Sequence, residues 1–260
     1  MDLQLKDKVI VITGGALGIG GAISEACAQE GAIPVIVNRD SDAARAFAAR
    51  LREMGTHCEL LTVELQEPAS CKSVVDETLR RYGRIDALVN NAGTNDGIAL
   101  EAGDPHKFME SIQRNLWHYY SMTHYALSAL KTSRGTVLNV SSKTAVTGQG
   151  GTSGYAAAKG AQLALTREWA VELLPYGIRV NALVPAEVMT PLYRKWLAKF
   201  SDPEAKLRSI TGKIPLGKRM TEAAEIASMA VFLLSEKSAH TTGQHIYVDG
   251  GYVHLDRAVN

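Results

Sequence analysis

A chain of 260 residues, 46% apolar and 21% charged, is long enough for one large α/β domain with a sizeable core. Its 28 Lys and Arg against 27 Asp and Glu leave a formal charge of +1, a near-balance that argues against nucleic acid as a partner. No apolar run approaches the ~18 residues of a membrane span, and the first residues lack the cationic segment and cleavage site of a signal peptide.

Residues 9–13 are an unbroken β-branched run, which predicts a strand buried on both faces, as in a parallel sheet. Gly14, Gly15, Gly18, Gly20 and Gly21 follow at once. A helical pattern then covers 22–29, Gly31 ends it, and a second apolar run occupies 33–37. This is a βαβ unit with a right-handed crossover. Next come a helix over 42–55, a strand over 59–63, a helix over 67–82 and a strand over 85–89 closed by Asn90, Asn91, Ala92 and Gly93. One long amphipathic helix is expected over 106–130, then a strand over 135–140 that ends in Ser141 and Ser142. A helix over 153–174 and a strand over 178–183 lead to Pro185. Residues 189–218 are charged and partly helical, and a helix over 223–234 and a last strand over 244–248 follow. The alternation predicts a single Rossmann-like domain over residues 1–260: a doubly wound parallel sheet with helices on both faces.

The first turn reads T-G-x-x-x-G-x-G, from Thr13 to Gly20. Glycines there let backbone N–H groups approach a pyrophosphate, and the helix N-terminus that follows favours negative charge. Strand, glycine turn and helix in one βαβ unit are the setting a dinucleotide site requires, so Gly14, Ala16, Leu17, Gly18, Ile19 and Gly20 are its candidate residues. An acid at the end of the second strand would hold the ribose 2′-hydroxyl. Asn38 stands there instead and Arg39 follows, so a 2′-phosphate is not repelled and finds a guanidinium partner. NADP is the expected cofactor, with NAD use possible. In the other reading Arg39 is solvated and Asp40 takes the ribose.

Tyr155 and Lys159 are four residues apart in a helical stretch, hence on one face. A lysine ammonium beside a phenol favours the phenolate and makes Tyr155 a candidate acid–base group.

The motifs Thr13 to Gly20, Asn90-Asn91-Ala92-Gly93, Asn115, Ser142, Tyr155 and Lys159 occur in one order, and Val248-Asp249-Gly250-Gly251 extends the match to the C-terminal end. By them the chain resembles the short-chain dehydrogenase/reductase family. The resemblance implies that Tyr155 is the general base for alcohol oxidation. It also implies that Lys159 lowers the Tyr155 pKa and holds the nicotinamide ribose, that Ser142 anchors the reacting oxygen, and that Asn115 holds a water linking Lys159 to bulk solvent. By position, Glu64 and Leu65 would flank the adenine, Asn91 and Gly93 the ribose, and Val188 and Thr190 the nicotinamide amide. Pro185-Ala186 departs from the family's usual Pro-Gly at that point.

Asn95, Asp96, Lys143, Gln149 and Glu187 leave the carboxyl ends of the strands, and Tyr193 and Trp196 open the 189–218 excursion. A set rich in donors and acceptors suits a polyhydroxylated substrate, with Trp196 placed to stack on a sugar ring. The run from Pro185 to Tyr193, with Lys143 after Ser142, resembles the L-fucose dehydrogenases within the family. That implies oxidation of an aldose, L-fucose first, at C1 to a lactone, beneath a substrate lid at about 187–218. Reduction of a polyol, steroid or ketoacyl substrate, and a non-catalytic dinucleotide sensor, are the other readings. The histidines lack ligand spacing, so no metal is expected. The odd, sparse set Cys27, Cys58 and Cys71 fits reduced thiols in the cytoplasm. The resemblance further implies a homotetramer built through the helices around 106–130 and 153–174.

Overall fold

The computed structural model describes residues 1–256. Strands β1 (Val9–Thr13), β2 (Ile33–Asn38), β3 (Glu59–Thr62), β4 (Ala87–Asn90), β5 (Thr136–Val140), β6 (Arg179–Pro185) and β7 (His245–Val248) form one parallel sheet in the order β3-β2-β1-β4-β5-β6-β7. The strands send alternate side chains to opposite faces. Val9 and Val11 of β1 enter one cluster with Val74, Tyr119, Met122 and Trp169. Ile10 and Ile12 enter the other with Ile23, Cys27, Ile226 and Ala230. A strand covered on both faces must be apolar throughout, so β1 reads as a continuous run in the sequence.

The helices are α1 (Gly18–Gln29), α2 (Asp42–Glu53), α3 (Pro68–Tyr82), α4 (Pro105–Ile112), α5 (His118–Ser133), α6 (Ser153–Leu173), α7 (Pro191–Leu197), α8 (Pro203–Thr211) and α9 (Ala223–Leu234). The helix α1 starts at Gly18 rather than Ala22, so the second half of the glycine loop is the first helical turn. The long helix expected over 106–130 is interrupted: α4 and α5 are joined by a π-helical segment, Gln113–Trp117. Hydrogen bonds at Asn115 account for the widening. Asn115 Nδ2 donates to Ser111 O at 2.9 Å, and the Asn115 carbonyl accepts from Gln162 Nε2 at 2.7 Å. Side chains thus take two carbonyls that regular helix bonding would use.

In the strand order, the chain runs outward from β1 in both directions, through β2 on one side and β4 on the other. Such a reversal opens a crevice at the carboxyl ends of the strands.

Candidate active site

A cleft of about 610 Å³ lies at that reversal, within the size range of ligand sites. At one end it is lined by Gly14, Leu17, Gly18 and Ile19, with Asn38, Arg39, Glu64 and Leu65 beyond them. Asn91, Gly93, Ser142, Tyr155, Lys159, Val188 and Thr190 line the remainder of the predicted path.

The glycine end is shaped by close backbone approach. A Cβ on Gly20 would lie 2.2 Å from the Gly14 carbonyl oxygen and 2.4 Å from Asn91 Nδ2. Gly14 and Gly18 sit at φ +63° and +56°, where a side chain is strained. The Thr13 hydroxyl accepts from the N–H groups of Asn91 and Ala92 at 2.9 and 3.1 Å, and Asn91 Nδ2 donates to the Thr13 carbonyl at 2.9 Å. Asn91 therefore braces the glycine loop as well as lining the cleft. No side chain caps α1 at Leu17, which leaves its first N–H groups to an anion. An extended dinucleotide fits this cradle.

Two predicted contacts lie elsewhere. Ala16 is buried with Ile36, Ala44 and Ala48 under α2 and does not line the cleft. Gly20 is also buried outside the lining and acts by leaving room for the Gly14 turn. At the end of β2, Asp40 is ion-paired to Arg45, whereas Arg39 is exposed and has no ion pair among the described residues.

Ser142 and Tyr155 both line the cleft. Burial pushes the Tyr155 phenol up to about 12, and the Ser142 hydroxyl pulls the other way. The Lys159 ammonium lies 5.5 Å from the Tyr155 ring centre. Burial pushes Lys159 down to about 7. Burial is the largest cause for each group, and no lowering of Tyr155 by Lys159 is resolved for the protein by itself. Lys159 Nζ donates to Val140 O at 2.7 Å and to Tyr119 Oη and Gln162 Oε1, each at 3.2 Å.

Asn115 is buried behind the cleft wall. Its Oδ1 accepts from the Thr94 N–H at 2.8 Å, clamping the loop after β4. A Cβ on Gly93 would lie 2.8 Å from that same oxygen. The Asn115 carbonyl accepts from Gln162 Nε2 at 2.7 Å, and Gln162 Oε1 accepts from Lys159 Nζ at 3.2 Å, so Gln162 joins the two groups.

Of the predicted substrate residues, Asn95, Ser142 and Tyr155 line the cleft. Lys143 and Glu187 lie outside its lining as a buried ion pair, and Glu187 Oε2 also accepts from the Tyr193 hydroxyl at 2.7 Å. Burial and the Glu187 carboxylate push the Tyr193 phenol up. Asp96 accepts from Ser111 Oγ at 2.8 Å and pairs with Arg114, again outside the lining. Gln149 is exposed on its loop, and Trp196 packs edge-on against Tyr193 and Phe200 away from the cleft. The pocket is therefore less rich in free donors and acceptors than expected, because its charged neighbours satisfy one another. Arg114, His118, Leu192, Tyr193 and Lys195 line the cleft instead. His118 was findable by its i, i+3 spacing from Asn115. His118 Nε2 lies 3.0 Å from the Ala92 carbonyl, and burial with the nearby Lys159 charge pushes it down to about 4. Among the described residues no group of three or more His, Cys, Asp or Glu is placed to hold a metal, and no helix is long and apolar enough to cross a membrane.

A family model described as enoyl-(acyl carrier protein) reductase matches residues 14–253. The L-fucose dehydrogenase of Bos taurus is 38% identical over 96% of this chain and 91% of its own length. Among solved structures, Cj0485 dehydrogenase superposes with a TM-score of 0.95 at 47% identity, covering 100% of this chain and 99% of that one. L-Sorbose reductase from Gluconobacter frateurii, complexed with NADPH and L-sorbose, gives a TM-score of 0.94 at 28% identity, covering 98% and 100%. With Ser142, Tyr155 and Lys159 gathered beside a glycine-lined dinucleotide cradle, the chain is an oxidoreductase of the short-chain dehydrogenase/reductase family, which uses nicotinamide dinucleotides.

Proposed function

We propose that the protein oxidises the anomeric C1 hydroxyl of an aldose, L-fucose first, to its lactone, with NADP as the preferred dinucleotide. The observation that carries this reading is Ser142, Tyr155 and Lys159 gathered on the cleft wall of a chain 38% identical to an L-fucose dehydrogenase. Gly14, Leu17, Gly18 and Ile19 would hold the pyrophosphate, Glu64 and Leu65 the adenine, and Val188 and Thr190 the nicotinamide end. A bound nicotinamide supplies the acceptor for the hydride leaving C1. Ser142 donates to the O1 oxygen and fixes it against Tyr155. Tyr155 Oη takes the O1 proton as the C1–O1 bond becomes a carbonyl. Lys159 supplies the positive charge that favours the phenolate. Arg39, beside Asn38 and with no ion pair among the described residues, supports recognition of a 2′-phosphate, with Asp40 engaged by Arg45.

Pro191, Leu192, Tyr193 and Lys195 of α7 line the cleft, which supports a lid over about 187–218. Trp117, Tyr120 and Val171 are 52%, 57% and 69% exposed on α5, its approach and α6, which supports a homotetramer built on that face. Three unpaired, buried thiols support a cytoplasmic setting. A second reading, reduction of a less polar ketone by the same groups in reverse, is favoured by Val188, Pro191 and Leu192 on the wall. Initial rates on a panel of aldoses and of apolar ketones, each with NAD and NADP, test both. Turnover of L-fucose with NADP is the expected result; turnover confined to the ketones would overturn the sugar assignment.

A further inference from the structure

The loop after β4 is held at both ends. The Thr94 N–H donates to Asn115 Oδ1 at 2.8 Å, and the Ile98 carbonyl accepts from the Ser153 N–H at 2.7 Å. Between these points Asn95 lines the same cleft as Ser142 and Tyr155. Its Oδ1 accepts twice, from the Gly97 N–H at 3.1 Å and from the Thr152 hydroxyl at 2.7 Å. A backbone N–H can only donate, so the Gly97 contact identifies which end of the Asn95 amide is oxygen. Thr152 is 4% exposed and is the residue at which α6 begins, three before Tyr155. Its hydroxyl therefore ties the Asn95 amide to the helix that carries the acid–base group. With Oδ1 engaged by two donors, Nδ2 is the polar atom that Asn95 has left to offer, and neither of its protons has a hydrogen-bond partner among the described residues.

We infer that Thr152 is a positioning residue that holds the Asn95 amide with its nitrogen toward the cleft, so that Asn95 meets the substrate only as a hydrogen-bond donor. The substrate must then bring an oxygen acceptor to this point, as a hydroxyl group does. A protonated amine in the same place brings only donors and leaves N–H groups facing N–H groups. The wall thus selects a neutral sugar over an amino sugar. Asn95→Asp reverses that polarity with little change of shape. One carboxylate oxygen keeps the bonds from Gly97 and Thr152, and the other faces the cleft as an acceptor. A sugar hydroxyl, which both donates and accepts, suits either side chain.

This rests on the aldose oxidation proposed above. Initial rates with L-fucose, and with analogues carrying an amine in place of the hydroxyl at C2, C3 or C4 in turn, test it below the amine pKa. The readout is kcat/KM for the amine relative to the hydroxyl, compared between native enzyme and variant. That comparison cancels the effect of the amine on the chemistry and of Arg114 on the same wall. At one ring position Asn95→Asp should raise the ratio about tenfold or more, the size of one charge-assisted hydrogen bond. Thr152→Val keeps the shape and removes the hydroxyl donor. It should raise KM for L-fucose about fivefold with kcat little changed, and Thr152→Ser should restore the native KM. If Thr152→Val does not fold, Thr152→Cys, a weaker donor, should show a smaller rise in KM. A ratio unmoved by Asn95→Asp at all three positions, with L-fucose still oxidised, would overturn the inference and leave the aldose reading standing. A native KM in Thr152→Val would reduce Thr152 to packing. No turnover of any aldose by the native enzyme would sink the aldose reading and this inference with it.

Discussion

At the β1–β3 end of the cleft the wall is backbone and glycine; at the β5–β6 end it is backed by side chains that hold one another. The Gly14–Gly20 turn has its shape because a Cβ at Gly20 would collide with a carbonyl 2.2 Å away. The opposite end has its shape because Lys143 finds Glu187, Glu187 finds Tyr193, and Asp96 finds Ser111 and Arg114. A glycine constraint acts on the residue that carries it. An ion pair depends on a second residue far along the chain, 44 positions away for Lys143 and Glu187. The first kind of wall accepts any ligand of the right backbone shape, whereas the second is specified by which polar groups remain unpaired.

The sharpest break comes between chemistry and binding. Tyr155→Phe should lower kcat about a thousandfold, within the range for loss of a general acid–base group, while dinucleotide affinity measured by fluorescence titration stays unchanged. At the paired end, Glu187→Leu leaves the Lys143 charge at 8% exposure without its partner. It should cost about 3 kcal/mol in urea unfolding, and Lys143→Met added to it should recover most of that. At the glycine end, Gly20→Ala should cost about 2 kcal/mol by overpacking and weaken dinucleotide binding. Gly148→Ala, with nothing within 4 Å of the added Cβ, should change stability by less than about 0.5 kcal/mol.

His118 sits where the two ends meet. Its imidazole, ordinarily near 6.5, is pushed down to about 4 by burial. The unfolded chain therefore binds more protons between those values, so the fold is stable above pH 6.5 and loses stability as pH falls toward 4. Urea unfolding at pH 7 and pH 5 should differ by about 2 kcal/mol from this group, and His118→Gln should remove that part of the difference. A further effect is at Arg39. Arg39→Ala should weaken NADP about tenfold, the size of one charge-assisted contact, with NAD affected much less; equal losses would return the ribose to another residue.

Much of the cradle was legible because its rules are local. The β-branched run before Gly14, the glycine spacing and the i, i+4 relation of Tyr155 to Lys159 each express a backbone or helix-face requirement within a few residues. Ala16 failed that test because the same turn points its methyl group into the core under α2. The break in the helix at Asn115 was not legible, since it depends on Gln162, which lies 47 positions later. Trp196 failed for a different reason: its near neighbours Tyr193 and Phe200 pack edge-on with its ring, away from the cleft.

By itself the sequence determined the parallel sheet, the glycine cradle and the shared helix face of Tyr155 and Lys159, because each is set by side-chain period or by the steric demand of one turn. The tertiary structure decided which polar side chains remain free to meet a substrate. It also decided which buried groups hold one another, such as Lys143 with Glu187, because burial forces every charged or polar group to find a partner and the partners lie far apart in the chain.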